Sequence, residues 1–114
     1  MPARDLDLVR GTVDLLVLKT LAVGPLHGYA IAGLIRDRSD GELLVQEGAL
    51  YPALHRLEAK GLVEAEWGVT PSGRRARYYS LTRTGRSELR AESATWRRYV
   101  EAVAKVLELS GSRS

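Results

Sequence analysis

The 114-residue sequence contains no cysteine. Disulfides, thiolate nucleophiles and cysteine zinc sites are therefore excluded, and the composition fits a reducing compartment. A long apolar run is also missing. The longest, Val13 to Val23, is broken by Asp14, Lys19 and Thr20 and is too short to cross a bilayer. The opening residues, MPARDLDLVRG, carry acids and no apolar stretch of the signal-peptide kind. These absences predict a cytoplasmic protein with no membrane partner. Catalytic patterns are missing too. His27 and His55 are far apart in sequence with no carboxylate at ligand spacing, and there is no Ser/His/acid or phosphate-cradling pattern. Neither an enzyme, nor a metal site, nor a cofactor is expected.

What is present is ordinary in amount and uneven in placement. Hydrophobic residues make up 45% and charged residues 27%, a globular balance, and the length suits one domain without internal repeats. The formal net charge of +3 says little by itself. Its distribution says more. Between Gly73 and Arg90, the residues Arg74, Arg75, Arg77, Arg83, Arg86 and Arg90 face a single acid, Glu88. A localised basic patch of this kind is the electrostatic footprint of a phosphate-binding surface. Arg83, Arg86 and Arg90 fit equally well as a solvated helix face.

The hydrophobic periodicity predicts an order of elements. Thr12 reads as an N-cap and Asp14 as a first-turn acid of a helix ending at Gly24-Pro25, apolar on nearly all sides. A second helix is expected over 27–38, with His27 near its start, Leu26, Ala30, Ile31, Leu34 and Ile35 inward, and Tyr29, Ala32 and Arg36 outward. Ser39-Asp40-Gly41 forms a turn, and Leu43-Leu44-Val45 is expected to be a short strand joining a later hairpin. Leu50, Leu54 and Leu57 place a third helix from about Gly48 to the stop at Gly61, with Pro52 close to its start. LVEAEW and ARYYSL flank the Gly/Pro/Ser loop of a hairpin, whose Tyr78 and Tyr79 are expected to pack on the sheet. Thr82 caps a last helix to about Leu109, roughly 40 Å long at 1.5 Å per residue. Its apolar residues Leu89, Trp96, Tyr99, Val100, Val103, Val106 and Leu107 recur near a heptad spacing and predict packing against another helix.

The fold class expected is mainly α (α+β), a winged helix-turn-helix with a long C-terminal dimerisation helix. Residues 1–82 form the DNA-binding part, 83–109 the dimerisation helix of the same compact unit, and 110–114 a frayed Ser/Gly-rich tail. In such a fold the third helix enters the major groove, which admits one α-helix. With its leucines inward, Tyr51, Pro52 and His55 lie on its outer side, and the loop with Arg74, Arg75 and Arg77 forms the wing. Arginine forks suit phosphate oxygens and narrow minor grooves.

RGTVDLLVLKTLAVGPLHGYAI, GALYPALHRLEAKGLVEAEWG and GRRARYYSLTRTG together resemble the PadR family of bacterial transcriptional regulators, over roughly Leu8 to Trp96. The resemblance implies a homodimer held by the first and last helices, with DNA contacts from the second helix, the recognition helix and the wing. By motif it assigns Tyr29 and Tyr51 to the DNA-facing tyrosines and Arg74, Arg75 and Arg77 to the basic wing. Ala49 stands where serine or threonine is common, and Arg77 where lysine is usual. Some members bind flat aromatic molecules between paired C-terminal helices, which makes Trp96, rather than Trp67, a ligand candidate. The dimer face is assigned to Val13, Leu16, Leu89, Trp96, Tyr99, Val100, Val103, Val106 and Leu107. The function expected is a sequence-specific repressor on an inverted repeat of double-stranded DNA, with a small planar aromatic effector as a further partner. The alternative is a dimeric winged helix that docks another protein and has no operator. Clustered arginines on the wing favour the first.

Overall fold

The computed structural model describes residues 3–109, and side chains over 11–108. The tail expected to fray lies outside the described residues. Helix α1, Ala3–Thr20, runs straight through Gly11 and Thr12, so Thr12 is not an N-cap. Asp14, expected in a first turn, sits in mid-helix. There its carboxylate meets Arg56, which outweighs the local capping signal. A short 3-10 turn, Leu21–Val23, extends the helix to Gly24, whose φ of 138° lets the chain turn away.

Strand β1 is only Leu26–His27, and α2 follows at once over Gly28–Arg38. His27 is the N-cap of α2: its Nδ1 accepts a 3.2 Å hydrogen bond from the Ala30 N–H. Ile31 and Ile35 are buried, and Ala32, expected outward, packs against the core as well. The helix closes with Gly41 N–H bonded to the Arg36 carbonyl and Asp40 at φ 55°, the left-handed closing turn typical of helix ends.

Leu43-Leu44-Val45 is not a strand. Leu43 and Leu44 are exposed, and only Val45 touches the core. The outer position on the sheet is taken instead by β1, which pairs Leu26 with Tyr79 and His27 with Tyr78. Two residues show no periodicity, so the sequence pattern could not reveal them.

Helix α3 spans Glu47–Ala59 and buries Leu50, Ala53, Leu54 and Leu57. Pro52 lies inside it rather than at its first turn. Proline has no N–H for the Gly48 carbonyl one turn earlier, and Gly48 is exposed, where water can satisfy that oxygen. Gly61, at φ 76°, ends the helix, with Leu62 N–H bonded to the Leu57 carbonyl. Strands β2, Val63–Val69, and β3, Arg75–Leu81, form the hairpin, and the antiparallel sheet has the order β1-β3-β2.

Helix α4, Arg83–Leu109, begins where the sequence places it. Thr82 Oγ1 accepts from the Gly85 N–H at 2.9 Å and donates to the Gly61 carbonyl at 2.7 Å, fastening the start of α4 to the end of α3. Gly85 is buried against the Leu62 carbonyl, where a Cβ would collide with backbone. One core unites Val13, Val17, Leu18 and Leu21 with Ile31, Ile35, Leu50, Leu54, Leu57, Leu62, Tyr79, Leu81 and Leu89. The fold is thus helix, short strand, helix, helix, hairpin, long helix.

Candidate nucleic-acid interface

The start of α2, the outer face of α3 and the hairpin enclose an open groove of about 930 Å³. Tyr29, Tyr51, His55, Trp67, Arg74, Arg75 and Arg77 all line it, together with His27 and Gly28. Each side chain arrives there for a local reason. The N-cap at His27 fixes where α2 begins, and Tyr29 then projects outward, 84% exposed. The leucines of α3 face the core, so Ala49, Tyr51, Pro52 and His55 face out. Tyr51 and His55 reach the groove. Ala49 and Pro52 are exposed but are not among its lining residues.

Gly28 is a requirement of this arrangement. A Cβ there would stand 2.5 Å from the Tyr51 hydroxyl oxygen, so Tyr51 lies across bare backbone at the start of α2. The recognition helix is anchored from behind by Arg56, whose Nη2 donates to Asp14 Oδ1 at 2.7 Å and whose Nε donates to Oδ2 at 3.3 Å. This fork ties α3 to α1, and the hydrogen bond to Asp14 raises the Arg56 pKa above its ordinary value.

The three wing arginines occupy three different environments. The turn is Thr70–Arg74, and Arg75 and Arg77 belong to β3 rather than to the loop. Arg74 is exposed at the turn's end, and its side chain makes no ion pair among the described residues. Arg75 lies over the Trp67 ring, its guanidinium carbon 4.5 Å from the ring centre. Arg77 is half-buried and donates from Nη2 to Glu58 Oε2 of α3 at 3.1 Å. Its charge is spent on joining sheet to helix, while its Nε has no hydrogen-bond partner. Beneath it, Tyr79 is buried, which pushes its phenol pKa up. Tyr78 packs on the opposite face against Gly68 and His27, and its hydroxyl donates to the Val69 carbonyl at 3.2 Å.

The wing loop is closed by its own hydrogen bonds. Thr70 N–H bonds to the Arg74 carbonyl and Gly73 N–H to the Thr70 carbonyl, both at 2.8 Å, while Thr70 Oγ1 lies 3.0 Å from Ser72 Oγ. The residues that sequence reasoning missed are Gly28, Trp67, Glu58, Asp14 and Arg56. Period-two alternation across the hairpin could have placed Trp67 beside Arg75. The two ion pairs join residues distant in sequence and left no local signal.

A second surface lies on α4. Trp96, Tyr99, Val100, Val103, Val106 and Leu107 form an exposed stripe, the last two at 69% and 70% exposure. Trp96 and Tyr99 are 5.6 Å apart, centre to centre. Both line a hollow of about 270 Å³ that includes Leu15 and Glu92. Val13 and Leu89, expected on the dimer face, are 4% and 9% exposed and belong to this chain's own core. Their spacing marked them as buried, and packing within one chain already covers them. Leu16 is half-buried and lines an apolar hollow with Leu34, Ile35 and Leu43. Arg83, Arg86 and Arg90 are exposed and are not among the groove's lining residues. No helix among the described residues is long and apolar enough to cross a membrane.

Residues 17–91 match the transcriptional regulator PadR-like family. The chain is 38% identical over 108 residues to transcriptional regulator Rv3488 of Mycobacterium tuberculosis, covering 95% of this chain and 92% of that one. A transcriptional regulator from Clostridium thermocellum superposes with a TM-score of 0.78 at 30% identity, covering 87% of this chain and 96% of that one. A PadR family transcriptional regulator from Eggerthella lenta gives 0.75 at 35% identity, covering 93% and 90%.

Proposed function

The chain belongs to the PadR-like family of transcriptional regulators, and from that premise we propose that it is a homodimeric repressor that binds an inverted-repeat operator. The observation that carries this reading is the groove, where the recognition helix, the start of α2 and an arginine-bearing wing converge. A groove with exposed aromatic hydroxyls, an imidazole and cations offers both phosphate contacts and base-edge contacts. The exposed stripe on α4 supports dimerisation, because an apolar face of that length is stable in water only when covered. Two recognition helices related by a two-fold axis then read the two halves of an inverted repeat.

Residues 1–82 are assigned to DNA binding and 83–109 to the dimer, with the first turns of α4 shared by both. The effector proposed is a small planar aromatic molecule beside Trp96. Dimerisation would bring the Trp96 and Tyr99 rings of both subunits near the axis, and ligand packing there would compete with the spacing of the recognition helices. Release of DNA is the expected consequence.

The test is a binding series on the DNA immediately upstream of the protein's coding region, against a scrambled duplex, with salt varied. The operator should bind at least about 10³-fold more tightly than scrambled DNA at physiological salt. Arg74→Ala removes two cations from a dimer and should make the log–log salt slope shallower by up to about 1.8 on both duplexes. Equal affinity for operator and scrambled DNA at every salt concentration would overturn the reading.

A further inference from the structure

Trp67 is a large aromatic that the core does not use. It is 59% exposed on β2, an outer strand of the sheet, yet it lines the groove. Its register partner is Arg77, so Trp67, Arg75 and Arg77 share the face of the hairpin that looks toward α3. Arg77 is held by Glu58, and among the described residues the Arg75 guanidinium makes no ion pair and lies over the indole. The hydrogen-bonded turn beyond them keeps the strand register, and with it the Trp67–Arg75 pairing, fixed.

We propose that Trp67 is a positioning residue of the DNA interface, presenting Arg75 as a preformed fork to a narrow, A·T-rich minor groove beside the recognition-helix site. The proposal rests on the DNA-binding reading above and adds to it a source of sequence preference. The contact with the ring forms no hydrogen bond with the guanidinium, so its N–H donors stay free to bond acceptors at the groove floor. A long side chain free in water would lose rotamer entropy on entering a groove. Arg75 has lost part of it already, because the indole restricts it before DNA arrives. A·T tracts narrow the minor groove and deepen its negative potential, which favours an inserted arginine over one merely near phosphate. Arg74, one residue earlier, has no ring contact or ion pair among the described residues and serves as a plain phosphate contact. The wing thus carries two neighbouring arginines with different tasks, and Trp67 makes the difference.

The experiment is in vitro selection from a random duplex library with wild type, Trp67→Ala, Trp67→Phe, Arg75→Lys and Arg74→Ala, each checked for a cooperative thermal melt. Wild type should select a two-fold motif flanked by A·T-rich segments at the wing positions. Trp67→Ala should retain the central motif and lower the flank preference by about two- to fivefold, the equivalent of an exposed cation–π contact. Trp67→Phe should restore most of it. Arg75→Lys should lose the preference, since an ammonium is a point charge that neither stacks flat nor forks. Arg74→Ala should weaken all duplexes alike and leave the preference intact. A motif without A·T flanks in wild type, or flanks unchanged in Trp67→Ala, overturns the proposal while leaving the DNA-binding reading in place. Failure of wild type to select any motif overturns both.

Discussion

The groove and the distal half of α4 are both exposed, yet they are finished to different degrees. In the groove, Tyr51 rests on Gly28, Arg75 rests on Trp67 and Arg77 is bonded to Glu58, so these three side chains are already held within one chain. On α4, Trp96 and Tyr99 touch each other, and Val100, Val103 and Val106 are exposed to solvent. A polar surface can be completed by local packing and water. An apolar stripe cannot, because water is the environment it must leave. On the proposed reading, the DNA-facing surface is built within one chain, whereas the stripe is the part that a second copy would cover.

That comparison breaks most sharply if the stripe is charged. Val103→Asp with Val106→Asp should give monomers at micromolar concentration by light scattering and weaken operator binding by at least about a hundredfold. Because the core ends near Leu89, the variant should still melt cooperatively. A dimer that survives both aspartates would mean that another face holds the subunits together.

The groove side is tested next. Gly28→Ala would place a methyl where the Tyr51 hydroxyl lies, and the ring must swing away. A groove contact is worth about 1–3 kcal/mol, so operator affinity should fall about tenfold with little loss for scrambled DNA. An equal loss on both duplexes would mean that Tyr51 contacts a phosphate rather than a base edge.

A smaller effect is expected at the anchor behind the recognition helix. Asp14→Asn removes the charge that Arg56 embraces, with the two side chains 23% and 35% exposed. Partial exposure limits the cost to about 1 kcal/mol, read as a lower midpoint in urea. Operator affinity should fall in step if the anchor also orients α3, and should be unchanged if it contributes stability alone.

The smallest effect lies beside the stripe, at Glu92. Glu92 lies one turn from Glu88; the hydrogen bond its protonated carboxyl can donate there, burial and the Glu88 charge raise its pKa. A carboxyl with a raised folded-state pKa binds more protons folded than unfolded. Stability is therefore lost as pH rises from the ordinary carboxylate range through the raised value. Like charges one turn apart on a helix cost about 0.2–0.5 kcal/mol, so Glu92→Gln should gain about that much at neutral pH and nothing in acid. A gain that persists below pH 4 would point to packing rather than charge.

Much of this architecture was legible in the chain. Leu50, Leu54 and Leu57 marked the inner face of α3, and Gly61 marked its end. Thr82 marked the start of α4, and the glycine-rich loop between two alternating segments marked the hairpin. These features are local: periodicity, capping and turn chemistry act within a few residues. The errors share a cause as well. Thr12 and Asp14 imitate a helix start, but tertiary contact with Arg56 decides what Asp14 does. Leu43-Leu44-Val45 imitates a strand, but β3 offers its free edge to Leu26-His27 instead.

By itself, then, the sequence determined the kinds and order of most elements, the stripe on α4 and the concentration of arginines after Gly73, because each depends on neighbours along the chain. Only the tertiary structure decided that Val13 and Leu89 belong to one chain's core and that the three wing arginines differ. It alone brought Gly28 under Tyr51. Each of these depends on which residues meet across elements, and pair energies between distant residues leave no trace in local spacing.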